Sequence, residues 1–190
     1  MNIPFLNKNQ DQYYYPEDGS DKKKMILVFA GILVVVLLGA LLLFSGGGGD
    51  NAGQLSMQQS VKSTNEALSI ITTYELNLSN SGTVNDVALI EIILDGNFQK
   101  LNDLYVASYK GKPISPQQKP DDESAEILDR AVRNNTIDTE IIDVLKTKIT
   151  QGQESLSQAS ADFTKQSSID QVKLSLEDFN SIQGILDKPR

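Results

Sequence analysis

TVNDVALIEIILDGNFQKLNDLY, residues 83–105, can be folded in two ways, and the choice between them sets the fold class. Its middle, VALIEIIL at residues 87–94, is apolar nearly all round. Followed by Asp95 and Gly96, that run fits a buried strand entering a turn. The residues beyond Gly96 break the tie. Val87, Ile90, Leu94, Phe98, Leu101 and Tyr105 recur at spacings of three and four, which is one face of a helix rather than an alternating strand. The stretch therefore reads as a helix opening at Thr83, with Leu89 and Ile92 on the far side from Val87. Gly96 inside it costs about 1 kcal/mol relative to alanine.

The flanking segments repeat the helical period. Upstream, Met57, Val61, Thr64, Leu68, Ile71, Tyr74 and Leu78 form one stripe. Ser56 and Gln59 fit a capping box at its start, and Asn80-Ser81-Gly82 stops it. Downstream, Pro113, Pro116 and Pro120 make residues 109–120 a loop. Asp121, Asp122 and Glu123 then supply first-turn acids to a short helix with Ala125, Leu128 and Val132 facing inward. Asp138 is placed to cap the next helix, with Ile137 and Ile142 at staple positions. Its stripe is Ile141, Leu145, Ile149, Leu156, Ala159 and Phe163, with Gly152 as a point of close approach. Ser168 and Gln171 suggest a capping box for a last helix with Ile169, Val172, Leu176, Phe179, Ile182 and Leu186 inward. Four long helices and one short one, joined mostly by tight turns, predict an all-α antiparallel bundle of four to five helices over residues 55–190.

A different kind of segment precedes it. Residues 25–44, from Met25 to Phe44, hold fifteen Leu, Ile, Val or Phe among twenty positions and no charge. Twenty helical residues span roughly 30 Å, the thickness of a bilayer's hydrocarbon core. The expectation is a single transmembrane helix, with Gly31 and Gly39 tolerated in it eight residues apart. Lys22, Lys23 and Lys24 stand on one flank, and no lysine follows on the other until Lys62. The positive-inside tendency then leaves residues 1–24 as a disordered cytoplasmic tail and sends the bundle outward. The apolar run is longer than a cleavable signal's core, which favours an uncleaved signal anchor in the plasma membrane. Glycine-rich residues 45–54 read as a flexible tether.

Composition narrows the function. Cysteine, histidine and tryptophan are absent, removing thiolate chemistry, thiolate or imidazole metal sites, and the usual general base near neutral pH. Residues 1–44 balance four lysines against four acids, so the whole net charge of −8 lies beyond the apolar block. Such a surface repels nucleic-acid phosphates, and no nucleic-acid partner is expected. No phosphate loop, nucleophile elbow or dinucleotide fingerprint occurs, and no cofactor is expected. PDDESAE, residues 120–126, offers calcium-type ligands, but acids that open a helix account for it equally. Asn77-Leu78-Ser79 and Asn134-Asn135-Thr136 match glycosylation triplets.

Glu91 stands out as a candidate buried carboxylate inside ALIEII, with Asp95 one turn on. It is suited to hold a cation or a partner's Lys or Arg; as a rim residue it would snorkel out to solvent or pair with Lys146 or Lys148. The whole suggests a non-catalytic, membrane-anchored extracytoplasmic interaction module, whose partners are the lipid bilayer and a protein or envelope component. The alternatives are a ligand-binding sensory ectodomain and, more remotely, a carboxylate-based hydrolase.

Overall fold

The computed structural model describes residues 51–189. The expected tail, the membrane span from Met25 to Phe44 and its lysine flank lie outside the described residues. Within those residues no helix is long and apolar enough to cross a membrane. The described chain is all-helical: α1 (Asn51–Tyr74), α2 (Ser81–Tyr109), α3 (Asp122–Asn134), α4 (Ile137–Ala159) and α5 (Gln166–Leu186). Short 3₁₀ turns follow α1 (Glu75–Asn77) and α4 (Ser160–Asp162). Residues 87–94 are helical throughout, in the middle of the 29-residue α2.

The long helices pack antiparallel, as their contacts fix. Lys100 meets Asp178 at 3.1 Å while Lys188 meets Asp86 at 2.9 Å, so α2 and α5 run in opposite directions. Gln153 with Asn180 and Lys146 with Asp187 orient α4 against α5 in the same way. Phe179, Leu145, Ile149 and Leu156 are completely buried in the shared core with Ile70, Ile90, Leu94 and Leu101. Gly152 faces Phe179 as the stripe implies: a Cβ there would lie 3.2 Å from the ring's Cζ and 3.5 Å from Ser63 Cβ.

α1 departs most from expectation. It is buried on nearly every side from Ser60 to Ile71, not along one stripe. α2 and α4 cover two of its faces, and the loop after α2 covers a third. Two of its small polar residues satisfy themselves against the helix, the Thr64 hydroxyl donating to the Ser60 carbonyl at 2.9 Å and Ser69 to the Glu66 carbonyl at 2.8 Å, whereas the buried Ser60 hydroxyl has no partner among the described residues.

Several predicted ends shift. α1 begins at Asn51, so residues 51–54 of the expected tether are helical and Ser56 caps nothing. Tertiary closeness holds this first turn, because Gly53 lies so near the Asp162 carboxylate that any Cβ would displace it. α1 ends at Tyr74, ahead of the expected stop at Asn80-Ser81-Gly82, and Asn80 instead caps α2, its Oδ1 accepting from the Gly82 and Thr83 amides. Asp138 does not cap α4. Its carboxylate instead accepts from the Ser79 amide and hydroxyl and the Asn80 amide, fastening the α1–α2 turn to α4. Burial would raise this carboxyl, but the three donors outweigh it and hold it below the usual range. α3 buries Ser124, Leu128 and Ala131, leaving Ala125 and Val132 half-buried. α5 starts at Gln166, ahead of the expected Ser168 box.

A built Cβ at Gly96 meets nothing within 4 Å, and its φ is negative. Gly96→Ala is therefore expected to stabilise the bundle by about 0.5–1 kcal/mol, raising the denaturation midpoint without changing the m-value.

Candidate functional site

Between α2 and α3 the chain climbs beside α1 as an extended segment, residues 110–121. Extended backbone needs partners from elsewhere for its polar groups. Side chains supply them. Asn102 donates to the Ile114 carbonyl and accepts from the Ile114 amide, both at 2.9 Å. Asn65 does the same with the Ser115 carbonyl and the Gln117 amide. The Glu66 carboxylate accepts from Gln117 Nε2 at 2.6 Å and from the Asp121 amide at 2.7 Å.

Asp121 completes the clasp. It caps α3 by accepting from the Ser124 amide and meets Lys148 Nζ at 2.6 Å. Burial alone would push its carboxyl up; hydrogen bonds from Lys148 and Ser124 overcome that and hold it at about 2. This stabilisation is complete above the ordinary aspartate value and is lost as pH falls toward 2. Tyr74, donating to Asp129 at 2.8 Å, ties α1 to α3, and burial followed by that carboxylate pushes its phenol up to about 12.

An extended segment is thinner than a helix, so it leaves openings on both sides. One, of about 460 Å³, is lined by Gln59, Lys62, Ser63 and Gln151 together with the Asn65–Glu66 clasp. The clasp's polar groups are already spent on the loop. The other, of about 300 Å³, lies between α1 and α2, with Leu68, Thr72 and Phe98 beside Glu91, Asp95 and Pro116.

Glu91 thus sits in a groove. It is half-buried, and among the described residues no cation or hydrogen-bond donor reaches its carboxylate. The expected rim pairing does not form, because Lys146 is taken by Asp187 and Lys148 by Asp121. Burial first, then the negative charges of Glu75 and Asp95, raise the Glu91 carboxyl above its ordinary value. Asp95 itself accepts from Gln99 Nε2 at 3.1 Å. Next to the groove, α2 turns Ile92 (72% exposed) to solvent, while Leu89 (46% exposed) lies on the far side of the helix from Glu91.

Comparison with known protein families, characterised proteins and solved structures finds no match. The site's chemistry must be argued from these residues. Among the described residues no cluster of three metal-ligating side chains occurs, and in PDDESAE the Asp121 carboxylate is committed to Lys148 and Ser124. Asn77 and Asn134 are both exposed, at the end of the bundle that Asp138 fastens. Asn65, Glu66 and Asn102, which hold the loop in place, were not singled out in the sequence. Their signal is indirect: a three-proline loop against a helix needs side-chain donors and acceptors, and STNE at residues 63–66 concentrates them.

A like-charge pair one turn apart destabilises a helix by about 0.2–0.5 kcal/mol. Glu91→Gln is accordingly expected to raise stability at pH 7 by a few tenths of a kcal/mol. A carboxyl raised in the folded state costs stability at high pH and costs nothing once protonated in both states. The variant's advantage should shrink on acidification and vanish below about 4.5, the ordinary value for this group. Parallel urea titrations at pH 7 and pH 4 check the sign.

Proposed function

We propose that this chain is a single-pass membrane-anchored module whose helical bundle binds a protein or envelope component outside the cytoplasm, without catalysis. The apolar block at residues 25–44 and its lysine flank support the anchor and the orientation. The observation that carries the binding role is the groove beside Glu91, with Ile92 exposed at its edge and Leu89 continuing the apolar surface round α2 away from it. Adjacent apolar side chains left in water beside a concave site mark interaction surfaces. A carboxylate held there without a partner of its own adds a recognition group.

The sensory reading has one observation in its favour, the polar opening of about 460 Å³ on the other side of the loop. Its amide and hydroxyl lining suits a small polar ligand.

Two measurements on the full chain in its native membrane test the proposal. Protease added to intact cells should remove the bundle; protection of residues 51–189 would overturn the orientation. Crosslinking in those cells should trap a stoichiometric polypeptide that Ile92→Asp abolishes and Leu174→Asp, at an exposed leucine of α5, does not. If both variants retain it, or no polypeptide is trapped while a small polar metabolite raises the chain's melting temperature, the interaction module gives way to the sensor.

A further inference from the structure

We infer that the groove beside Glu91 docks a partner segment carrying a lysine or arginine flanked by apolar residues, an inference that rests on the binding role proposed above. The groove has two kinds of surface. Leu68 and Phe98 line it, Ile92 continues the apolar area on α2 next to Asp95, and Glu91 and Asp95 stand between them. An occupant must therefore bury hydrocarbon and bring positive charge at one place. A lysine or arginine side chain does both, because its stem covers apolar surface while its head reaches a carboxylate.

The other occupants fit less well. A second copy would set Glu91 and Asp95 against their own counterparts in a chain of net charge −8. An anionic lipid surface meets the same acids. A bare metal ion finds no third carboxylate in the groove. Three internal lysines are committed elsewhere: Lys100 to Asp178, Lys146 to Asp187 and Lys148 to Asp121. In the free protein Glu91 is strained by burial and by its acidic neighbours. A docked cation offsets the repulsion from those neighbours and stabilises the charged form, so selectivity for positive charge is built into the free state.

The probe is an 18-residue amphipathic peptide of leucine and lysine bearing one photoreactive leucine, offered to the full chain in uncharged detergent. Its companion replaces every lysine with glutamine. The lysine peptide is expected to crosslink to residues 89–99, located by mass spectrometry, with about tenfold lower yield for the glutamine peptide. Glu91→Gln should reduce the lysine peptide's yield by a similar factor while circular dichroism stays unchanged. Asp143→Asn, which removes one exposed charge from α4, should not. Equal yields for the two peptides, or equal losses in the two variants, would overturn the inference while leaving an interaction surface in place. Crosslinks that join two copies of the chain through residues 89–99 would replace the cationic occupant with a dimer. Should neither peptide crosslink in the groove and Ile92→Asp leave the cellular crosslinks intact, the binding role falls as well.

Discussion

Replacing Glu66 with alanine is expected to destabilise the bundle by roughly 2–4 kcal/mol and to loosen residues 114–121. Glu66 is 7% exposed and accepts two hydrogen bonds, from Gln117 Nε2 at 2.6 Å and the Asp121 amide at 2.7 Å. Hydrogen bonds to a charged group contribute about 1.5–3 kcal/mol each, and a donor left buried without an acceptor adds its desolvation. Both lost bonds lie on one short segment, which also begins α3. Asp121 retains Lys148 and Ser124, and Ile114 retains Asn102, so the loop should not detach entirely. Hydrogen exchange ought to show this as a gradient. The Asp121 amide should lose the most protection, the Gln117 amide, which keeps Asn65 as its acceptor, less, and Ile114 little. Glu66→Gln keeps an acceptor and should recover about half of the loss. A cost under about 1 kcal/mol with unchanged exchange would mean that loop packing, not the carboxylate, holds the segment. Any change in groove binding by Glu66→Ala would then test whether the loop's position shapes the opening at Pro116.

The clasp also shows where the sequence could be read and where it could not. Periodicity placed the inward residues of α2, α4 and α5, because a helix on the outside of a bundle buries one stripe and exposes the rest. It failed for α1, where burial runs through Ser60, Ser63, Asn65 and Glu66. A helix covered on three sides needs polar residues wherever its neighbour is a loop with backbone groups to satisfy, and that neighbour lies about fifty residues away along the chain. Helix starts slipped as well. Ser56 and Ser168 have the residues of a cap, but the helices begin five and two residues earlier, at Asn51 and Gln166. Glu91 was legible as a carboxylate in an apolar run. That it stands in a groove was not, because the groove exists only where an extended segment takes a place that a helix would fill. The commitment of Lys146 and Lys148 to other acids likewise depends on partners 41 and 27 residues away.

Phe179→Ala should carry the largest cost of any single core truncation considered for this chain, about 3–5 kcal/mol. Phe179 is fully buried, and its ring tip lies over Gly152 at the crossing of α4 and α5. For a domain whose whole stability is expected at about 5–15 kcal/mol, that is roughly a fifth or more. Gly152 makes the cause separable from generic damage. In the native bundle, alanine at 152 gains about 0.8–1 kcal/mol of helix propensity but sets its Cβ 3.2 Å from the Phe179 ring, so the two effects nearly cancel. With alanine at 179 the ring is gone. Gly152→Ala should then return its full propensity gain and fill part of the cavity. The double-mutant cycle is thus expected to show a favourable coupling of about 1 kcal/mol. Urea denaturation of the four proteins measures it. Strict additivity would mean that the two helices relax apart at this crossing, and that Gly152 is not required by the ring it faces.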